Sequence, residues 1–376
     1  MSSKRMSPAT TIPLSTFATG TPPAGNRALM SVGGLGNFRH TNIKTNKEQW
    51  QSMAIIRVKT DCRTIGEAVR AASPGDIILL QRGVYRETVT VNKNNLSIKG
   101  EGPAIIDGEF SRAFGVILEG VTGVALESIQ IINCNKNGLW IKGGSSHSII
   151  CCRTDCCGGS GIKIVGAEGV RLLSSAGGGN GQSGVELVKC GDILLDHCTL
   201  NSNAFCGVEG RQTYGITEIV GCELRLNITM GCSFEGGFPV RLAGNCITDN
   251  LTDGCCLTNP LSELFGNMVS GNRGHGILSR GRGSTFRENQ IANQGETGLS
   301  VTDGCLVESN RITDNGGYGL LITGRDNLIK TNIFLENREA DIRRLSPRNR
   351  FIDNNFNTSL PYELKRWQDC PDQSPL

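Results

Sequence analysis

Along most of the chain, apolar positions come in short runs in which they alternate with polar ones. The clearest runs follow ten glycines: Gly115, Gly138, Gly161, Gly184, Gly207, Gly231, Gly254, Gly276, Gly298 and Gly319. After each, the first and third residues are mostly apolar, as in Leu139/Ile141, Ile162/Ile164, Val185/Leu187, Leu299/Val301 and Leu320/Ile322. Alternation with a period of two predicts strands. A second run precedes each glycine, as in VRLAGNCITDN and CLVESNRITDN. The glycines recur at steps of 21 to 24 residues, the signature of a solenoid, propeller or array. Several short strands per repeat, with no helical segment between them, select a coil of parallel strands.

Two polar columns keep the same step. Four residues before successive glycines stand Asn180, Asn203, Asn227, Asn250, Asn272, Gln294 and Asn315. Nine before them stand Cys152, Ser175, Cys198, Cys222, Asn245, Asn267, Asn289 and Asn310. Equal positions in a β-solenoid stack about 4.8 Å apart, and stacked amides can bond along the column. Asparagine also tolerates the left-handed backbone of a tight corner. One column is therefore expected to supply corner asparagines, the other a small or polar interior ladder.

The repeats are preceded by TDCRTIGEAVRAASPGDIILLQRGVYRETVTV. Thr64 and Glu67 form a capping box ahead of an amphipathic stretch, Ile65 to Ala72. Ser73-Pro74-Gly75-Asp76 stops that helix. A short helix here can cover the open end of an apolar core, as repeat proteins require. At the other end, Leu360, Tyr362, Leu364 and Trp367 suggest a second lid. The opening T-I-x-E-A-V-x-A-A-x-P-G-D-x-I-x-L, followed by G-x-Y-R-E, resembles that of right-handed parallel β-helix proteins of the pectin-lyase-like superfamily. The resemblance covers about residues 54–358 and implies an all-β fold: a single-stranded right-handed parallel β-helix. Its expected bounds are 53–358, with about ten to twelve turns, a leader at 1–52 and a cap or tail at 359–376.

Members of that superfamily include lyases, glycoside hydrolases, esterases, epimerases and non-catalytic interaction modules, so the resemblance implies a fold and not an activity. The Gln-Asp-Thr segment of pectin methylesterases is absent. So is the Tyr-Gly-Phe-Asp-Pro-His type site of alginate epimerases, of which TYGITE at 213–218 is a poor shadow.

Composition narrows the setting. The chain has 376 residues, 50 of them glycine, and only Pro239 and Pro260 of its 12 prolines lie between 104 and 346, as a ladder-rich domain demands. The net charge is +3, but residues 1–52 carry +5, which leaves the body at −2. The body thus has no basic footprint for nucleic acid. No apolar run is long enough to span a membrane. Residues 1–52 lack periodicity and read as disordered, as an organelle-targeting segment, or as sequence upstream of a true start at Met53. No apolar core near the N-terminus marks a secretory signal. With 16 cysteines, that favours a cytoplasmic location and free structural thiols. Zinc at CCRTDCC is disfavoured because adjacent strand residues point to opposite faces. A monomer is expected.

Fold is not function, so a site must come from the outward positions. In the strand after each glycine, the second and fourth residues are expected to face solvent. They give Trp140/Lys142, Lys163, Glu186, Glu209/Arg211 and Glu235 on neighbouring turns. Glu186 and Glu209 share a column on consecutive turns, about 5 Å apart, and would raise each other's pKa unless paired. The spacing suits a retaining glycosidase. It also suits Ca²⁺ bound through oxygens, with Arg211 or a lysine acting on an acidic sugar as in pectate-lyase-like enzymes. Glu186, Glu209 and Arg211 are the candidate catalytic residues. Trp140, Lys142, Lys163, Glu235 and Tyr214 are candidate ligand contacts. No cofactor is required, and Ca²⁺ enters only if the face is a lyase site. The ordinary alternative is a solvated charge ladder. The expected role is a binding or scaffold protein that recognises a polysaccharide or a protein along this face. The alternative is a polysaccharide lyase or glycoside hydrolase. His275 is expected in a turn, and His197, beside an interior cysteine, in a structural place.

Overall fold

The computed structural model describes residues 53–356. The leader and the lid residues Leu360, Tyr362, Leu364 and Trp367 lie outside the described residues. The described chain is a parallel β-coil of about 13 turns, with one short helix near its start. That exceeds the ten to twelve turns expected, because the outermost turns lack the marker glycine. A typical turn has three strands, such as Leu139–Lys142, Ser148–Ile150 and Arg153–Asp155. Each pairs in parallel, in register, with its equivalent one turn on: Leu139 with Ile162, Ser148 with Arg171, Arg153 with Ala176. Stacking creates three sheets, called first, second and third in that order. In the early turns the second and third strands merge, as in Ser97–Asp107 and Ala125–Ile132, with a shift of register between them.

The marker glycines open the strands of the first sheet, and close approach is why no other residue fits. A Cβ on Gly138 would lie 2.9 Å from the Gly161 carbonyl oxygen, one on Gly207 2.7 Å from that of Gly231, and one on Gly254 2.5 Å from that of Gly276. Each glycine therefore makes room for the next turn.

Both polar columns are buried ladders. In the first, the Asn227 Nδ2 donates to Asn250 Oδ1 at 3.0 Å and to the Leu200 carbonyl at 3.1 Å, while the Asn227 N–H also donates to Asn250 Oδ1 at 3.0 Å. Asn250 repeats this on Asn272. In the second, Asn245, Asn267, Asn289, Asn310, Asn332 and Asn354 are linked the same way at 2.9 Å. A shorter third series, Cys305, Asn327 and Asn349, runs along another corner, with the Asn327 Nδ2 donating to Asn349 Oδ1 at 2.9 Å. The expectation that the asparagines themselves adopt the left-handed corner is corrected. The left-handed residue is the one before each: Leu226 before Asn227, Asp249 before Asn250, Ser309 before Asn310. That residue swings the chain around the corner, and the next side chain consequently points inward. His197 is one of these corner residues (φ 51°), exposed and paired with Asp196 at 2.6 Å. His275 sits in a turn, its Nδ1 accepting from the Thr297 N–H at 3.3 Å.

The helix Ile65–Ala71 closes the N-terminal end with Ile65, Ala68 and Val69 buried. The capping box of Thr64 and Glu67 is formed. Glu87, one turn on, adds a second cap by accepting from the N–H groups of Ile65 and Gly66, both at 2.9 Å, where a carboxylate also suits the positive end of the helix.

All 15 described cysteines are free thiols, ten of them buried. Cys232 and Cys255 stack with their sulfurs 3.2 Å apart. Cys151 and Cys156 are exposed while their neighbours Cys152 and Cys157 face the core, so each pair of adjacent thiols is split between the two faces.

His147 is wholly buried. Its Nδ1 accepts from the Val124 N–H at 3.3 Å, which puts the proton on Nε2, a buried atom with no partner. Burial holds this imidazole below its ordinary pKa. Below about pH 6.5 the unfolded chain gains a proton there that the folded chain refuses, so this contribution to stability is present above that pH and lost as pH falls. His147→Leu is expected to flatten the pH dependence of the urea midpoint between about pH 7 and 5 and to raise it at pH 5. An unchanged slope would refute the assignment.

Candidate functional site

The first sheet presents two outward columns. The second position of its strands runs Ile117, Trp140, Lys163, Glu186, Glu209, Ser233, and the fourth runs Glu119, Lys142, Val165, Val188, Arg211, Glu235, each residue in register with the next. The sequence-based placement of Glu186 and Glu209 on neighbouring turns therefore holds.

The exposure expected of Glu186 does not. Its side chain is buried, only 3% accessible. Three donors close over it: the Ser160 hydroxyl at 2.9 Å on Oε2, and Lys163 Nζ at 2.9 Å and Arg211 Nη2 at 2.5 Å on Oε1. Glu209 keeps 20% of its side chain accessible. It accepts from the Ser183 hydroxyl at 3.0 Å and pairs with Arg211 Nη1 at 3.2 Å. Arg211 thus bridges the two carboxylates, which relieves the repulsion between stacked like charges. A buried carboxylate is tolerated where its lone pairs are met by cations and hydroxyls. Ser160 and Ser183 were missed in the sequence. The available signal was their shared column, each immediately before a marker glycine.

The other expected residues fall around this core. Trp140 adjoins Lys163 in the column, stacks on Phe114 with centroids 4.7 Å apart, and has a buried Nε1 with no partner. Lys142 pairs with Glu119 at 2.7 Å. Glu235 is in register with Arg211 but exposed, because Arg211 turns back to the two glutamates. Tyr214 is not brought into the cluster. It lies beyond the first-sheet strand, its ring across Gly191, where a Cβ would come within 2.2 Å of the ring.

Among the described residues, no group of three His, Cys, Asp or Glu side chains could hold a metal ion. Glu186 and Glu209 are committed to Lys163, Arg211 and two serines, so this pair does not fit a Ca²⁺ that needs several free oxygens.

A three-sided parallel coil with a glycine column, asparagine ladders and a charged first sheet defines a right-handed β-helix protein. The family model described as "Right handed beta helix region" matches residues 87–247 and 233–359, and the chain belongs to that family. Among solved structures, the A-module of a mannuronan C-5 epimerase from Azotobacter vinelandii is similar, with 14% identity and a TM-score of 0.60 over 77% of this chain and 88% of that one. A mutant of a periplasmic alginate epimerase is similar at 13% identity and a TM-score of 0.51, over 80% and 83% of the two chains. A pectate lyase matches at 13% identity and a TM-score of 0.48, over 79% of each. These likenesses show the fold alone. A search of curated protein sequences returned no match.

Proposed function

We propose that the protein is a non-catalytic β-helix module that binds a polysaccharide along its first sheet, with Lys163 and Arg211 as the principal donors. The observation that carries this reading is the state of Glu186, buried beneath a hydroxyl, an ammonium and a guanidinium. A nucleophile or general base needs an open approach to its substrate, and Glu186 has none. Its chemistry is to fix Lys163 and Arg211, leaving the spare donors of a guanidinium still 46% exposed to meet sugar oxygens. Trp140, half-buried one position along the column, offers an aromatic edge. The structural neighbours include proteins named as mannuronan and alginate epimerases, which supports a carbohydrate ligand. The absence of the alginate-epimerase motif supports binding over catalysis.

A protein ligand is the second reading. Phe205 and Ile228, in turns entering the first sheet, Phe238, in a turn leaving it, and Ile216, in the strand Val208–Val220 where it passes out of the first sheet, are exposed.

Oligomers of mannuronate and galacturonate titrated into the full chain are expected to bind, and Arg211→Ala to weaken them about tenfold. Unsaturated product and new reducing ends are expected to be absent with or without Ca²⁺. Product that disappears in Glu186→Gln would establish the lyase or hydrolase reading instead. A folded chain that binds no oligomer would move the assignment to a protein ligand.

A further inference from the structure

The outward face of the third sheet carries a depression of about 500 Å³, on the strand just before that of Glu186 but in a different sheet. It arises because one strand, Ala176–Gly178, has almost no side chains. Gly178 is paired with Asp155 on one side and Asn201 on the other, and where the neighbouring turns project side chains this one projects none. Gly179 follows in the left-handed conformation and extends the gap. The φ of Gly178 is outside the left-handed region, and a Cβ there would sit 3.2 Å from the Asn201 carbonyl oxygen, a tight approach that a shift of a few tenths of an ångström relieves, and 3.5 Å from Asp155 Oδ1. Glycine within a strand weakens it and marks a place where something approaches the backbone closely.

The lining is a mixed hydrogen-bonding set. At the floor, Asp155 has only 11% of its side chain accessible. Its Oδ1 accepts from the Gly178 N–H at 3.1 Å and its Oδ2 from Arg153 Nε, so each oxygen retains acceptor capacity. Arg153 rises at the rim with its two terminal nitrogens unpaired among the described residues and its side chain 60% exposed. The Gln130 amide, the Asn201 Nδ2 and the Ser202 hydroxyl also line the depression, without a partner among the described residues. Acceptors and donors alternate around a space of a size that holds small ligands. Asp155 and Arg153 cancel in charge, so neither an anion nor a cation is favoured.

We propose that this depression is a binding site for a neutral, hydroxyl-rich ligand, a hexose unit of an oligosaccharide. Asp155 and the two amides would take paired hydroxyls and Arg153 would donate from the rim. A uronate is disfavoured because its carboxylate would meet that of Asp155. The site is independent of the first-sheet reading and holds whether or not that one does.

The test is calorimetric titration of the full chain with gluco-, manno- and galacto-tetraoses, with a mannuronate tetramer for comparison. At least one neutral tetramer is expected to bind with a Kd of about 1 mM or tighter. Gly178→Val fills the notch with a residue suited to an outward strand position. It is expected to fold with only a small change in the unfolding midpoint while weakening that binding at least about tenfold. Gln130→Ala removes an amide that has no partner among the described residues, leaves the fold untouched, and is expected to weaken binding as well. Absence of binding by every neutral tetramer, or unchanged affinity in either notch variant, would overturn the proposal. If Gly178→Val does not fold, Gln130→Ala alone decides.

Discussion

Gly254→Ala is expected to destabilise the protein by about 3 kcal/mol or more, a far larger effect than a single methyl usually has. The added carbon would lie 2.5 Å from the Gly276 carbonyl oxygen, 2.8 Å from Val269 Cγ1 and 2.9 Å from Asn272 Nδ2. The valine methyl can move. The carbonyl cannot, because it accepts from the N–H of Cys255 at 2.9 Å as part of the link between turns, and the amide is fixed in its ladder. Relief therefore requires neighbouring turns to part, which breaks backbone and side-chain bonds together. Gly166→Asn is the control. Gly166 has φ +62° and nothing within 4 Å of an added Cβ, and asparagine tolerates that conformation, so a change of under about 1 kcal/mol is expected. Urea midpoints for the two variants check this. Equal midpoints would mean that the glycine column reflects only backbone freedom.

Asn250→Ala is expected to cost about 3 kcal/mol. It strands the N–H and one Nδ2 hydrogen of Asn227 and takes one donor each from the Leu224 carbonyl and from Asn272 Oδ1, which keeps the backbone N–H of residue 250, all of them buried, and each orphaned buried group carries a desolvation cost of about 1–3 kcal/mol that water entering the cavity can partly offset. Asn250→Asp separates hydrogen bonding from packing. It keeps the acceptors and the volume, but at neutral pH it buries a charge and loses both donors. The introduced carboxyl would have a folded-state pKa above its unfolded value of about 3.9. Its stability is then greatest below that pH and is lost as pH rises through the folded value. The Asp variant is therefore expected to be less stable than the Ala variant at pH 7 and to overtake it near pH 4. Matching pH profiles for the two would contradict the ladder as drawn.

Much of this architecture was legible in the chain. Period-two runs, the glycine column and the two amide columns each recur on many turns, and repetition turns a weak local signal into a strong one. The capping box at Thr64 and Glu67 was equally readable, because its geometry is local. What failed depended on three-dimensional closure. Alternation placed Glu186 outward correctly, but exposure is set by what folds over it, and Ser160 and Arg211 are 26 and 25 residues away. Tyr214 was grouped with the cluster for its aromatic face, whereas the strand Val208–Val220 runs on from the first sheet into the second and carries it around the edge. The corner asparagines were assigned to the wrong side of the bend, because composition alone does not separate a left-handed residue from the one after it. The third-sheet depression was invisible as a site, since its signature is the lack of side chains at Ala176 and Gly178.

The repeat length varies, yet the ladders never lose register. From Cys152 to Asn310, members of the two asparagine columns on the same turn are always five residues apart, and from the second of these to the next glycine the distance is always four. All the variation lies between a marker glycine and the following corner: 15 residues from Gly207 to Cys222, 14 from Gly231 to Asn245, 13 from Gly254 to Asn267 and 12 from Gly298 to Asn310. Two edges of the prism are built to a fixed gauge, and the third is an expansion joint. New loops can be grafted at that joint without disturbing the columns, whereas one residue added at either gauged corner would put every later turn out of step. The sequence can thus change by whole turns or at a single edge, and the first sheet, which borders that edge, is where a change in length would most directly reshape what the protein binds.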